Sequence, residues 1–186
     1  MNHSLRSGSW QCHLPPMGFL DFLTSTKRPA PGTPVLSRED VITRLKALNR
    51  PTAPYQIVET SEEGADLVAE WKIVDAQWYE IFAKVGLSKV FRIYLKLDPG
   101  SHEVRAADRE YTVQWRAGVP TLSVSVSAFR GQKQSIEFGT AYAFTENLAP
   151  GKVYQYRFDT GEIKGPIQDV VTSSGWTYKG VAFGKL

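Results

Sequence analysis

The chain has 186 residues, 42% of them hydrophobic and 12% aromatic, enough for one packed domain and too apolar for a disordered chain. Its formal charge of +3 is mild, and bases and acids are interleaved, which argues against the clustered basic face of a nucleic-acid binder. Cys12 is the single cysteine, so neither a disulfide framework nor a cysteine-based zinc site is available.

Residues 1–36 are rich in Ser, Gly, Pro and Thr and read as a flexible arm and proline-rich linker. Residues 1–16 lack any feature that a fold needs, which favours Met17 as the natural start. "MGFLDF" fails the myristoylation pattern, because its sixth residue is Phe22. Phe19, Leu20, Phe22 and Leu23, followed by Lys27 and Arg28, could give only weak membrane attachment.

From residue 37 the pattern predicts a single α+β domain to residue 186. "SREDVITRLKALNRP" predicts the first helix. Ser37 and Asp40 cap its start, Val41, Ile42, Leu45 and Leu48 share a face, and Asn49 and Pro51 end it. "ADLVAEWKIV" predicts a strand, and "DAQWYEIFAKVG" a second helix over 75–86, with a strand over 78–83 as the alternative that its aromatic residues favour. In "KVFRIYLKL", Phe91, Ile93, Leu95 and Leu97 alternate with Arg92, Tyr94 and Lys96, which is strand periodicity. Pro99-Gly100 predicts a type II turn. "EVRAADREYTVQW", "TLSVSVSAF", "SIEFGTAYAF" and "VYQYRF" continue the strands. A last helix near 162–174 presents Ile163, Ile167, Val170 and Val171 to the sheet, with Gln168, Asp169 and Thr172 facing water. Pro166 is expected in its first turn and Gly175 at its stop. "WTYKGVAF" is the final strand. The fold expected is a curled, mainly antiparallel sheet or partly open barrel of about 6–8 strands. No apolar run approaches the roughly 20 residues that span a bilayer. A cytoplasmic location is expected.

Linear catalytic signatures are missing from the sequence, including P-loop, G-x-S-x-G, H-E-x-x-H and C-x-x-C. His102 reads as an exposed turn residue, and Cys12-His13 lacks companion ligands. No metal or cofactor is predicted. Asp108 and Glu110 are two apart and share a strand face. Paired carboxylates of this kind can share a proton or hold a cation. With Arg105, Arg109 and Arg116 nearby, the expectation is a solvated face with cross-strand ion pairs.

The aromatic residues stand out. Five tryptophans mostly fill a core, but a curled sheet would gather some of them beside a concave surface. Trp71, Trp115 and Tyr156 are the candidate ligand-binding residues. The leading functional expectation is a non-enzymatic binding or interaction domain for a small molecule or protein. One rival is a small-molecule enzyme with a carboxylate/Arg site. Another is a weak peripheral-membrane adaptor using residues 17–28.

Overall fold

The computed structural model describes residues 25–73, 89–116, 119–124, 144–149, 152–156, 160–181 and 186. The expected helix over 75–86, the segment 17–24 and the strand run over 125–143 lie outside the described residues.

Helix α1 spans Arg38–Lys46. The Ser37 hydroxyl accepts from the Asp40 N–H at 3.1 Å and donates to the Asp40 carboxylate at 2.7 Å, closing the first turn. Val41 and Leu45 are fully buried, and Ile42 and Leu48 pack at the margin of the core. Asn49 does something other than the capping expected of it. The C-cap is Ala47, and the Asn49 amide donates to the Ile57 carbonyl at 2.8 Å and accepts from its N–H at 2.7 Å. It thereby takes the place of a strand neighbour along the edge of β1, Tyr55–Glu59. The sequence pattern did not predict β1. Five residues pressed between Pro54 and the next turn carry too little periodicity.

Strands β2 (Leu67–Trp71), β3 (Lys89–Asp98), β4 (Glu103–Arg116) and β5 (Val119–Val124) follow β1 in one antiparallel order. The final strand β8, Thr177–Gly180, pairs in parallel with Glu103–Ala106 of β4, while β5 pairs with Tyr111–Arg116. β4 therefore has two successive neighbours along one edge. Strands β6 (Phe144–Ala149) and β7 (Lys152–Tyr156) form a separate antiparallel pair. Among the described residues β1 and β5 do not meet, so the curled sheet stays open and the fold is α+β as expected. The β3–β4 turn holds its left-handed residue at His102, φ +51°, and Gly100 has no positive φ. That differs from the expected type II turn, in which the second central residue would carry it.

Helix α2 spans Thr160–Ser173 and lies near the predicted range. Ile163, Ile167 and Val171 are fully buried, and Val170 is half-buried. Pro166 falls in the second turn, beyond the expected first. Gln168 is buried, whereas the periodicity placed it in water. Gly175 ends the turn after α2 at φ +76°. There the proline-rich segment lies against the domain. Leu36 N–H donates to Ser174 O, the Trp176 indole donates to Leu36 O at 2.9 Å, and Lys27 and Tyr178 exchange two backbone bonds.

Candidate functional site

The strand register sorts side chains onto two faces. On the inner face Trp71, Phe91, Ile93, Leu95, Val104 and Ala106 form the core with α1 and α2. Opposite pairs in the β3–β4 ladder are Phe91↔Glu110 and Ile93↔Asp108. Both carboxylates therefore share one face, as their spacing predicts, but it is the buried face. Asp108 is 4% exposed and Glu110 6%. The solvated face expected for them is corrected on this point. Lys164 of α2, itself buried, donates to Asp108 at 2.5 Å, and Lys89 reaches Glu110 at 2.9 Å. Buried carboxylates require such partners, because removing a charge from water costs several kcal/mol, at roughly the scale of the attraction gained. Tyr178 is fully buried, and burial first, then the Asp108 charge, hold its phenol well above the ordinary range.

The outer face sets charged side chains around a small buried cluster of Ala65, Val68 and Tyr94. Arg92 and Arg109 are directly opposite each other, as are Lys96 and Arg105, and Lys179 of β8 extends the second row. A short 3₁₀ turn, Glu62–Gly64, lies over this face. Glu62 accepts from the Tyr94 hydroxyl at 2.8 Å and stands 3.6 Å from Arg92, while Glu63 pairs with Arg109. Asp66 takes Lys96 at 3.0 Å and Arg38 at 3.1 Å. The Tyr94 and Tyr111 hydroxyls share a hydrogen bond of 2.8 Å, and the Arg92 guanidinium stands 5.1 Å from the centre of the Tyr111 ring. Burial, followed by the Tyr111 and Glu62 bonds, raises the Tyr94 pKa far above the ordinary phenol value.

At one end of the sheet the two faces meet at a cleft of about 210 Å³. Its apolar wall is Trp71, Ile73, Val90, Phe91 and Leu122. Gln56, Glu70, Lys72 and Arg92 form the polar wall. Glu70 organises that wall, accepting from the Gln56 amide at 3.0 Å and from Arg92 at 2.8 Å. Trp71 stands edge-on to Tyr55 and Phe91, with ring centres 6.3 and 5.9 Å away. Stacking of this kind fixes ring orientation as well as burying area.

Of the three aromatic residues predicted as ligand-binding, Trp71 lines the cleft. Trp115 is half-buried against the margin of the core and is not among the lining residues. Tyr156 ends β7, and its side chain lies outside the described residues. His102 is exposed in its turn, with its ring edge-on to Trp176 at 5.6 Å. Among the described residues no three His, Cys, Asp or Glu side chains cluster as metal ligands. No described helix is long and apolar enough to cross a membrane.

Sequence reasoning overlooked Arg92 and Glu70. Strand alternation placed Arg92 on the wet face and stopped there. The signal that would have found it is complementarity: outward basic residues four apart on β3 (Arg92, Lys96) and on β4 (Arg105, Arg109) against the acidic "SEEGAD" at 61–66. No family model, curated protein or solved structure matches this chain.

Proposed function

We propose that the chain is a binding domain that takes a small, largely apolar molecule into the cleft beside Trp71. The observation that carries this reading is the cleft's two-sided wall, with five apolar side chains facing the hydrogen-bonded Gln56–Glu70–Arg92 edge. Ligand sites are apolar concavities with a few fixed polar anchors, and this cleft has that composition. Its 210 Å³ suits a ligand of one or two rings rather than a large cofactor. A cytoplasmic location belongs to the same reading and draws on the lone Cys12. The enzyme reading gains less support. Asp108 and Glu110 each hold a lysine and do not line the cleft.

Ligand-observed NMR with one- and two-ring fragments tests the proposal. Leu122→Trp should fill the cleft and abolish the signals of fragments that bind the parent chain. The reading fails if no fragment binds at millimolar concentration, or if Leu122→Trp leaves every binding signal unchanged.

A further inference from the structure

The outer face breaks an ordinary rule of sheet design. Like charges directly opposite each other are destabilising, yet Arg92 faces Arg109 and Lys96 faces Arg105. Such pairs are tolerable where an anion lies between or over them. Here the chain supplies its own: Glu70 of β2 keeps one side of Arg92 at 2.8 Å, and the segment Ser61–Asp66 supplies the rest. Asp66 is fixed firmly, accepting from the Leu97 N–H at 2.8 Å as well as from Lys96. Glu62 and Glu63 are held differently. Their side chains are 62% and 40% exposed, against 23% and 14% for the arginines they cover. The backbone beneath them has left-handed φ at Glu63, +56°, and at Gly64, +75°. The backbone of the turn is held by its own bonds, Gly64 N–H to Ser61 O and Ala65 N–H to Glu62 O, and by buried Ala65, so only the two exposed glutamate side chains have to swing away to vacate the arginines.

We propose that Arg92, Arg109 and the Tyr94–Tyr111 hydroxyl pair form a binding site for the phosphoryl group of a small ligand, occupied in the free protein by Glu62 and Glu63. Two guanidinium groups and the one hydroxyl proton that the Tyr94–Tyr111 pair now gives to Glu62 match the oxygens of a phosphoryl group, and pyrophosphate, which carries more charge than sulfate, should be preferred to it. Two exposed carboxylates reproduce that charge more weakly, because each pair is screened by water. The site shares Arg92 with the cleft but does not depend on what the cleft binds.

Calorimetric titration of the full chain with pyrophosphate at low salt, with sulfate as a control, tests the proposal. The parent chain should bind pyrophosphate more tightly than sulfate. Glu62→Gln/Glu63→Gln removes the competing charges, and the amide introduced at position 62 keeps an acceptor for the Tyr94 hydroxyl. This double variant should bind about threefold to tenfold more tightly, as two exposed pairs imply. Arg109→Gln should abolish binding, and Arg109→Lys should restore part of it. Thermal unfolding identifies a variant that has lost its fold. Fragment binding at the cleft and pyrophosphate binding are each measured on the parent chain, so failure of the cleft reading and of this one are separable. The proposal is overturned if the double variant binds no more tightly, if sulfate competes equally, or if the chain binds vesicles bearing phosphorylated headgroups but not free pyrophosphate.

Discussion

Strand β4 carries opposite charges on its two faces, and the two faces treat them differently. Inward, Asp108 and Glu110 are buried, and Asp108 meets a lysine that is buried too. Outward, Arg109 is covered by a glutamate whose side chain is 40% exposed. The chemistry of the ion pairs is the same, but the dielectric is not. Inside, a carboxylate without its ammonium has nothing equivalent to replace it. Outside, water or a ligand anion can take the carboxylate's place. Burial thus turns a partner from exchangeable into obligatory.

The largest expected effect tests the obligatory side. Lys164→Ala removes the ammonium against which Asp108 is buried and should cost about 3–5 kcal/mol in urea unfolding. Asp108→Leu/Lys164→Met, which removes both charges together, should recover most of that loss. A single variant within about 1 kcal/mol of the parent, by the same measurement, would break the comparison. The second effect concerns how the inner layer is closed by the proline-rich segment. A Cβ at Gly175 would lie 2.5 Å from Pro34 O and 2.8 Å from Val35 Cα, in a residue at φ +76°. Gly175→Ala should therefore cost about 2–3 kcal/mol, from left-handed strain plus the clash with backbone that must shift. Truncating residues 1–35, which takes away both Pro34 and Val35, together with Gly175→Ala should leave only the left-handed strain of the substitution. If the two losses simply add, the segment is not packed there.

Much of the inner layer was legible in the sequence, and the reason is periodicity. Val41 and Leu45, the odd residues of β3 from Phe91 to Leu97, and Ile163, Ile167 and Val171 are spaced as one face of their elements, and all are buried. Periodicity fails where a polar residue is buried by a partner far away in the chain. Nothing local to Asp108 announces Lys164, which is 56 residues on. Gln168 is buried too, while its neighbour Asp169 is exposed, and residue type does not separate the two. The cleft was half legible. Trp71 could be picked as an aromatic residue with a polar handle, but its setting depends on Leu122, which reaches the same end of the sheet only through three strand pairings. The basic outer rows needed the β3–β4 register, and a shift of one residue would have removed both like-charged pairs.

A third prediction takes a group between the two extremes. Burial alone would raise the Asp66 pKa, but the Leu97 N–H, then Lys96 and Arg38, outweigh it and hold the carboxyl below its ordinary value of 3.8. A folded pKa below the unfolded one means stability present above 3.8 and lost as pH falls through that value to the lowered one. Asp66→Asn should cost about 1–2 kcal/mol at pH 7 and flatten that part of the acid limb in stability measured against pH. If the variant and the parent lose stability in parallel below the ordinary carboxylate range, Asp66 is not the group responsible.

The smallest effect tests the exchangeable side. Glu63→Gln removes the charge over Arg109 but keeps a side chain of similar size that can still accept a hydrogen bond. An exposed pair of this kind is worth about 0.2–1 kcal/mol, and the left-handed φ of Glu63 is unchanged by the substitution. The expected loss at low salt is therefore below about 1 kcal/mol. The sharper readout is its salt dependence. In the parent chain, raising ionic strength from about 0.01 M to 1 M shortens the screening length from about 30 Å to 3 Å and should erase the difference from the variant. Lys164→Ala should keep most of its deficit over the same range, because the Asp108 pair is shielded from mobile ions. Unfolding of both variants at the two ionic strengths puts the two faces of β4 on one scale. Equal salt sensitivity would mean that burial does not distinguish them, and the contrast between obligatory and exchangeable partners would fall.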